Sequence, residues 1–66
     1  MGRLININTA SSADLELLPG IGPALAARII DYRKTSGPFR SVDDLDKVKG
    51  IGPRTLEKIR PHVTVQ

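Results

Sequence analysis

The sequence predicts an all-α fold, a compact single domain of two tandem units in which paired short helices flank a tight hairpin. Three observations predict it. The tetrapeptide Gly-Ile-Gly-Pro occurs twice, as Gly20-Ile21-Gly22-Pro23 and Gly50-Ile51-Gly52-Pro53, thirty residues apart. Aligning residue n with n+30 also pairs Ser11 with Ser41, Asp14 with Asp44, Leu15 with Leu45, Leu18 with Val48 and Ile29 with Ile59. Apolar residues around each glycine pair recur at the helical spacing of three and four. The chain is therefore an internal duplication, with units 11–33 and 41–63 joined by a connector 34–40 within one domain, 1–66.

Each unit opens with Ser-x-x-Asp, in which the serine can cap a helix and the acid lies in its first turn, favourably placed against the helix dipole. The spacing predicts first helices over 12–18 and 42–48, with Leu15 and Leu18, then Leu45 and Val48, facing inward. Gly20 and Gly50 take the positive φ that stops them, and Pro23 and Pro53 restart helix where no N–H is needed. Second helices follow over 23–33, burying Ala26, Ile29 and Ile30, and over 53–60, burying Leu56 and Ile59, with Pro61 ending or kinking the last. Gly37-Pro38 forbids a continuous helix through the connector, and Phe39 is expected to plug the gap between units. Residues 4–8 and 63–65 alternate as short extended arms that could lie together, with no regular sheet expected. Asn6 and Asn8 read as turn or cap residues.

A chain of 66 residues is near the lower limit for a core without metal, disulfide or partner. It has no cysteine, and its one histidine, His62, has nothing with which to build a metal cage. No apolar run is long enough to span a bilayer, and the opening Met1-Gly2-Arg3-Leu4 is not a signal peptide. Net charge is +3, and the excess sits in the second half: residues 34–66 hold seven basic and four acidic side chains, against three and three in residues 1–33. That balance favours an anionic partner.

A Gly-x-Gly turn running into a Pro-started helix leaves backbone amides unpaired, a receptor for phosphate. The candidate donors are the amides of Gly20, Gly22, Ala24 and Leu25 in the first unit, and of Gly50, Gly52, Arg54 and Thr55 in the second. Lys47, Lys49, Arg54 and Lys58 surround the second hairpin, with the Thr55 hydroxyl among them; Lys49 and Arg54 are the favoured contacts and Lys58 a further candidate. The first unit carries Leu17, Pro19, Ala24 and Arg28 at the corresponding positions. Arg28, Arg33 and Arg40 are candidate outer phosphate contacts, most of them read as solubilising. Main-chain donors are blind to base sequence, and Phe39 with Tyr32 cannot build a stacking platform for single strands. Two hairpins related by an approximate twofold would straddle a minor groove, one on each strand of a duplex.

Asn6-x-Asn8-Thr9-Ala10, both hairpins and Gly37-Pro38-Phe39-Arg40-Ser41 fall in one order, and in this the chain resembles the DNA-binding domain of ComEA-type competence proteins, of the tandem helix-hairpin-helix family. The resemblance covers nearly the whole chain. It implies sequence-independent binding of double-stranded DNA during uptake, in the periplasm or at the outer face of the cytoplasmic membrane. It also implies a monovalent cation, K+ or Na+, on the carbonyls of Glu16, Leu18 and Ile21 or of Asp46, Val48 and Ile51. Receptors of this type carry an amino-terminal membrane anchor absent from this sequence, so a fragment of one or a free-standing relative is expected.

The leading expectation is a non-catalytic, monomeric duplex-DNA-binding module with no membrane contact of its own. The alternatives are a protein-protein interaction or dimerisation module, and the DNA-targeting part of a repair enzyme. No carboxylate cluster, nucleophile–base pair or metal set is visible to make the chain itself an enzyme.

Overall fold

The computed structural model describes residues 4–65; Met1, Gly2, Arg3 and Gln66 lie outside the described residues, and with them most of the opening segment discussed above. The chain runs β1 (Ile5–Asn6), α1 (Ser12–Leu15), α2 (Pro23–Thr35), a 3-10 helix (Val42–Lys47), α3 (Pro53–Ile59), a second 3-10 helix (Arg60–His62) and β2 (Val63–Thr64). Within the first unit α1 packs on α2, and within the second the longer 3-10 helix packs on α3.

One apolar core serves both units, and it is itself duplicated. Leu15 and Leu45, Leu18 and Val48, Ile21 and Ile51, Ala26 and Leu56, Ile29 and Ile59 are all buried, each pair thirty residues apart. Ile7, Ala10, Phe39 and Val63 complete it, while Ile30, expected inside, is only half-buried against its edge. Each buried aliphatic side chain withdrawn from water contributes about 1.5–3 kcal/mol before entropy is counted, so a repeated set of this kind is what holds so short a chain together.

The helices differ from the expectation at their ends. Ser11 caps α1 as predicted, its Oγ accepting from the Asp14 amide at 3.1 Å. After Leu15, however, the amides of Leu17 and Leu18 donate three residues back, to Asp14 and Leu15, and the predicted 12–18 helix tightens into turns. The predicted 42–48 helix is a 3-10 helix over Val42–Lys47, with Val48 already extended. Its inward residues Val42 and Leu45 are spaced by three, the period at which 3-10 side chains align on one face. Ser41 makes no side-chain cap there; the Asp44 carboxylate reaches back to the Arg40 amide at 3.0 Å instead. Helix α2 continues two residues beyond the predicted 33, to Thr35, whose Oγ1 donates to the Asp31 carbonyl at 2.9 Å. It stops before Gly37, at φ 89°, and Pro38. Pro61 converts the end of α3 into the short 3-10 helix, as anticipated.

The terminal arms are corrected: they pair. β1 and β2 form a parallel two-stranded ladder, Ile5 opposite Val63 and Asn6 opposite Thr64, extended by the Ile7 amide donating to Thr64 at 3.0 Å. The all-α expectation holds for the two units and fails at this seam. Asn8 accounts for much of it. Its Nδ2 donates to the carbonyls of Phe39 at 3.0 Å and Val65 at 3.1 Å, and its Oδ1 accepts from the Phe39 amide at 2.7 Å. One side chain thus ties the amino-terminal arm, the connector and the carboxyl-terminal arm together. Asn6 keeps the predicted turn role, with its Oδ1 accepting from the Asn8 amide at 2.9 Å and its carbonyl from Thr9 and Ala10. Phe39 is buried where the connector crosses the core, its ring stacked on Tyr32 at 4.9 Å. Arg33 is structural, donating to the Ile7 carbonyl at 2.9 Å.

Replacing Asn8 removes three long-range hydrogen bonds and strips partners from backbone groups of Phe39 and Val65. At about 1 kcal/mol each, Asn8→Ala is expected to cost about 2–4 kcal/mol, a large share of the roughly 3–10 kcal/mol available to a chain this short. Urea unfolding followed by circular dichroism measures it, and a loss below about 0.5 kcal/mol would contradict the clip.

Candidate nucleic-acid interface

The two hairpins are built alike. Gly20 and Gly50 adopt φ of 82° and 98°, the left-handed region that lets the chain reverse out of the first helix of each unit. The Ile21 amide then donates to Leu18 at 3.1 Å, and the Ile51 amide to Val48 at 3.0 Å, while both isoleucine side chains are buried as anchors. Gly22 and Gly52 cap the second helices from extended backbone, at φ −98° and −99°, and their carbonyls accept from Ala26 and Leu56.

The candidate donor amides have no partners within the fold. Among the described residues, those of Gly20, Gly22, Ala24 and Leu25, and of Gly50, Gly52, Arg54 and Thr55, donate no hydrogen bond to the protein. Gly20, Gly22, Ala24, Gly50 and Arg54 are exposed, and Leu25, Gly52 and Thr55 half-buried. Each hairpin therefore carries backbone donors with no partner among the described residues.

Gly22 and Gly52 are not required by the fold. Their backbone is open to any residue, and a Cβ at either would meet no atom within 4 Å. Gly20 and Gly50 differ, since their positive φ strains any other residue. The first glycine of each hairpin makes the turn, and the second leaves bare backbone facing open space.

The hairpins also lie side by side, joined by a reciprocal contact across the repeat. A Cβ at Gly50 would stand 2.7 Å from Leu25 Cδ2, and one at Gly20 would stand 3.8 Å from Thr55 Cγ2. Leu25 and Thr55 are equivalent residues of the two units, so each hairpin abuts the opening turn of the other unit's second helix. The half-burial of Leu25 and Thr55 follows from that contact, and Thr55 faces the first hairpin through its methyl group.

Charge distinguishes them. Lys47 is 3.5 Å from Asp44, and Arg60 is 2.6 Å from Asp43, so these cations are matched by carboxylates. Among the described residues, Lys49, Arg54 and Lys58 are exposed and have no carboxylate within ion-pair distance. Arg54 and Lys58 are one turn apart on α3. Sequence reasoning missed Arg28, which donates from Nη1 to the Lys49 carbonyl at 3.1 Å and so joins the second hairpin from the first unit. The sequence offered Arg28 as the one cation around the first hairpin and as a candidate outer phosphate contact; nothing local showed that it crosses the repeat.

Asp44 is held below the ordinary aspartate range, chiefly by the Arg40 amide that donates to it and further by the nearby Lys47 charge and the Ser41 amide, against a smaller opposing effect of desolvation. Among the described residues no group of three metal-ligating side chains is present, His62 is exposed, and no helix is long and apolar enough to cross a membrane. The Leu18 and Val48 carbonyls each accept one amide bond, which leaves a lone pair for a cation.

Two hairpins, each a glycine turn between a short first helix and a Pro-started second helix, define the class, and the chain belongs to the helix-hairpin-helix family, whose motif model matches residues 2–64. Among relatives, it is 45% identical over 65 residues to ComE operon protein 1 of Bacillus subtilis (strain 168). It is 44% identical over 59 residues to the human endonuclease/exonuclease/phosphatase family domain-containing protein 1, and 42% identical over 60 residues to an uncharacterised Haemophilus influenzae protein. These matches take in 98%, 89% and 89% of this chain, which spans 32%, 10% and 54% of the respective relatives.

The two glycine positions should separate in a denaturation experiment. Gly20→Ala is expected to lose about 1–2 kcal/mol to left-handed strain and Gly50→Ala at least as much, since its Cβ would also press on Leu25 and Arg28, whereas Gly22→Ala and Gly52→Ala should stay within about 0.5 kcal/mol of the parent, the stiffer unfolded chain offsetting the poorer helix N-cap that Ala makes. For Asp44 the sign follows from a folded pKa below the unfolded one: its contribution is complete above the unfolded value of about 4 and disappears as pH falls through the lowered folded value. Asp44→Asn should therefore unfold at lower urea than the parent at pH 7, with the gap closing along a descending pH series. A gap independent of pH would show that the carboxylate charge is not what matters.

Proposed function

We propose that this domain binds double-stranded DNA without regard to sequence, using hairpin amides to grip phosphate and Lys49, Arg54 and Lys58 to supply attraction. The observation that carries this reading is the second glycine of each hairpin. Gly22 and Gly52 are required by neither conformation nor packing, yet both stand beside unpaired amides in open space. A Cβ removed there gains nothing inside the protein and gives a phosphate oxygen close access to the backbone.

Two adjacent hairpins in pseudo-twofold relation suit a duplex, one meeting each strand across the minor groove. Contacts of this kind position without reading bases, so affinity is modest and strongly salt-dependent. The second hairpin contributes most of the electrostatic attraction and the first mainly backbone contact and geometry. A K+ or Na+ ion on the carbonyls of Glu16, Leu18 and Ile21, or of Asp46, Val48 and Ile51, would bridge a hairpin to phosphate. The domain is a binding module rather than an enzyme and works as a monomer.

Identity with ComE operon protein 1 supports a place in DNA uptake, within a longer protein whose DNA receptor faces the periplasm or the outer side of the cytoplasmic membrane. A second reading, the DNA-targeting part of a DNA-processing enzyme, is favoured by the matches to the endonuclease/exonuclease/phosphatase family domain-containing proteins, where a similar segment occupies a tenth of the chain. Both readings place the same surface on the same ligand.

Titration of unrelated duplexes from 50 to 200 mM salt tests the shared claim: dissociation constants on the order of micromolar at low salt, alike for all sequences, and rising steeply with ionic strength. Lys49→Glu with Arg54→Glu is expected to weaken binding at least tenfold and to flatten the salt dependence. Gly22→Ala or Gly52→Ala should weaken it roughly 10- to 150-fold, the 1.5–3 kcal/mol range of a hydrogen bond to a charged group, with little change in stability. Wild-type affinity in the glycine and lysine/arginine variants would remove the hairpins from the interface.

A further inference from the structure

Resting on the duplex-binding reading above, a role for Arg28 emerges that neither the basic flank of the second hairpin nor the repeat assigns. Arg28 stands in the middle of α2, in the first unit, and its Nη1 donates to the carbonyl of Lys49 in the second hairpin at 3.1 Å. The same nitrogen would lie 2.8 Å from a Cβ at Gly50, so the bare α-carbon there is what lets the guanidinium come in so close. The peptide bond between Lys49 and Gly50 is planar and trans, with its carbonyl and its N–H pointing in opposite directions. Holding the Lys49 oxygen toward α2 therefore turns the Gly50 amide away from α2. A hydrogen bond accepted by an amide oxygen also strengthens the same amide as a donor.

The other hairpin lacks this arrangement. Repeat symmetry places Lys58 opposite Pro19, and among the described residues no hydrogen bond joins them. The clamp exists only at the hairpin that carries the unmatched cations.

We propose that Arg28 is a positioning residue for the second hairpin, acting through the Lys49–Gly50 peptide to aim the Gly50 amide at phosphate rather than by contacting phosphate itself. It also locks the relative placement of the two hairpins, since it belongs to one unit and holds the other.

The test compares wild type with Arg28→Met, which loses both charge and donor, and with the chemically synthesised Arg28→citrulline chain, which loses the charge but keeps an isosteric N–H donor. Each is titrated with a 20-base-pair duplex of arbitrary sequence at several salt concentrations, and the Gly50 amide is followed in 15N–1H correlation spectra without DNA. The expected result is that Arg28→Met binds about three- to tenfold more weakly, the worth of one hydrogen bond, with an unchanged salt slope and a displaced Gly50 amide signal. The citrulline chain should return affinity and the Gly50 signal toward wild type. Equal losses in both variants with a salt slope smaller by about 0.9 would make Arg28 a direct phosphate contact and overturn the proposal, as would wild-type affinity in Arg28→Met. If Arg28→Met fails to fold, the citrulline chain decides alone between these outcomes through its slope and its Gly50 signal. Absence of binding by the wild-type chain, read first, would instead remove the duplex-binding reading and this role with it.

Discussion

The abutment of the two hairpins across the repeat is the constraint on which the surface depends. Gly50 can lie against Leu25 and Arg28 only because it has no side chain, and Gly20 faces Thr55 in the equivalent way. This contact turns two separate corners into one face with unpaired amides from both units. Behind it, Ile21 and Ile51 anchor the turns in a core whose members repeat every thirty residues. Displacing either hairpin would move buried aliphatic side chains as well as backbone, so the face is as rigid as the packing beneath it.

Shape and charge have different histories in this duplication. The buried residues of the two units remain nearly interchangeable, because each must fill the same space between the same elements. The exposed positions around the hairpins are under no such demand, and they diverge: Leu17, Pro19 and Ala24 in one unit stand where Lys47, Lys49 and Arg54 stand in the other. Leu17, 75% exposed, contributes nothing to the core. The result is a pair of similar glycine turns in two electrostatic settings, and Arg28 adds to the asymmetry by donating a hydrogen bond to the more basic one.

A core this small leaves little margin, and the segments outside the helices close it. The parallel β1–β2 seam brings the two terminal arms together, Asn8 fastens both arms to the connector, and Tyr32 stacks on Phe39 beneath it. These contacts span up to 58 residues of sequence. They keep the two units from separating, which the reciprocal hairpin contact alone, made at the exposed surface, would not do.

The sequence by itself determined the two units, their glycine turns, the proline starts of the second helices and most of the core positions within the units, because these follow from local conformational rules and from a period repeated twice. It was also sufficient to mark the amides as unpaired, since their neighbours in the chain leave no local acceptor. Only the tertiary structure decided that the second unit opens in a 3-10 helix, that the terminal arms pair, that Asn8 is a long-range clip rather than a local cap, and that Arg28 serves the opposite hairpin. Each of these depends on groups far apart in the chain meeting in space. A hydrogen bond between distant segments leaves no periodicity in the sequence, and a six-residue helix takes its winding from the surface on which it packs.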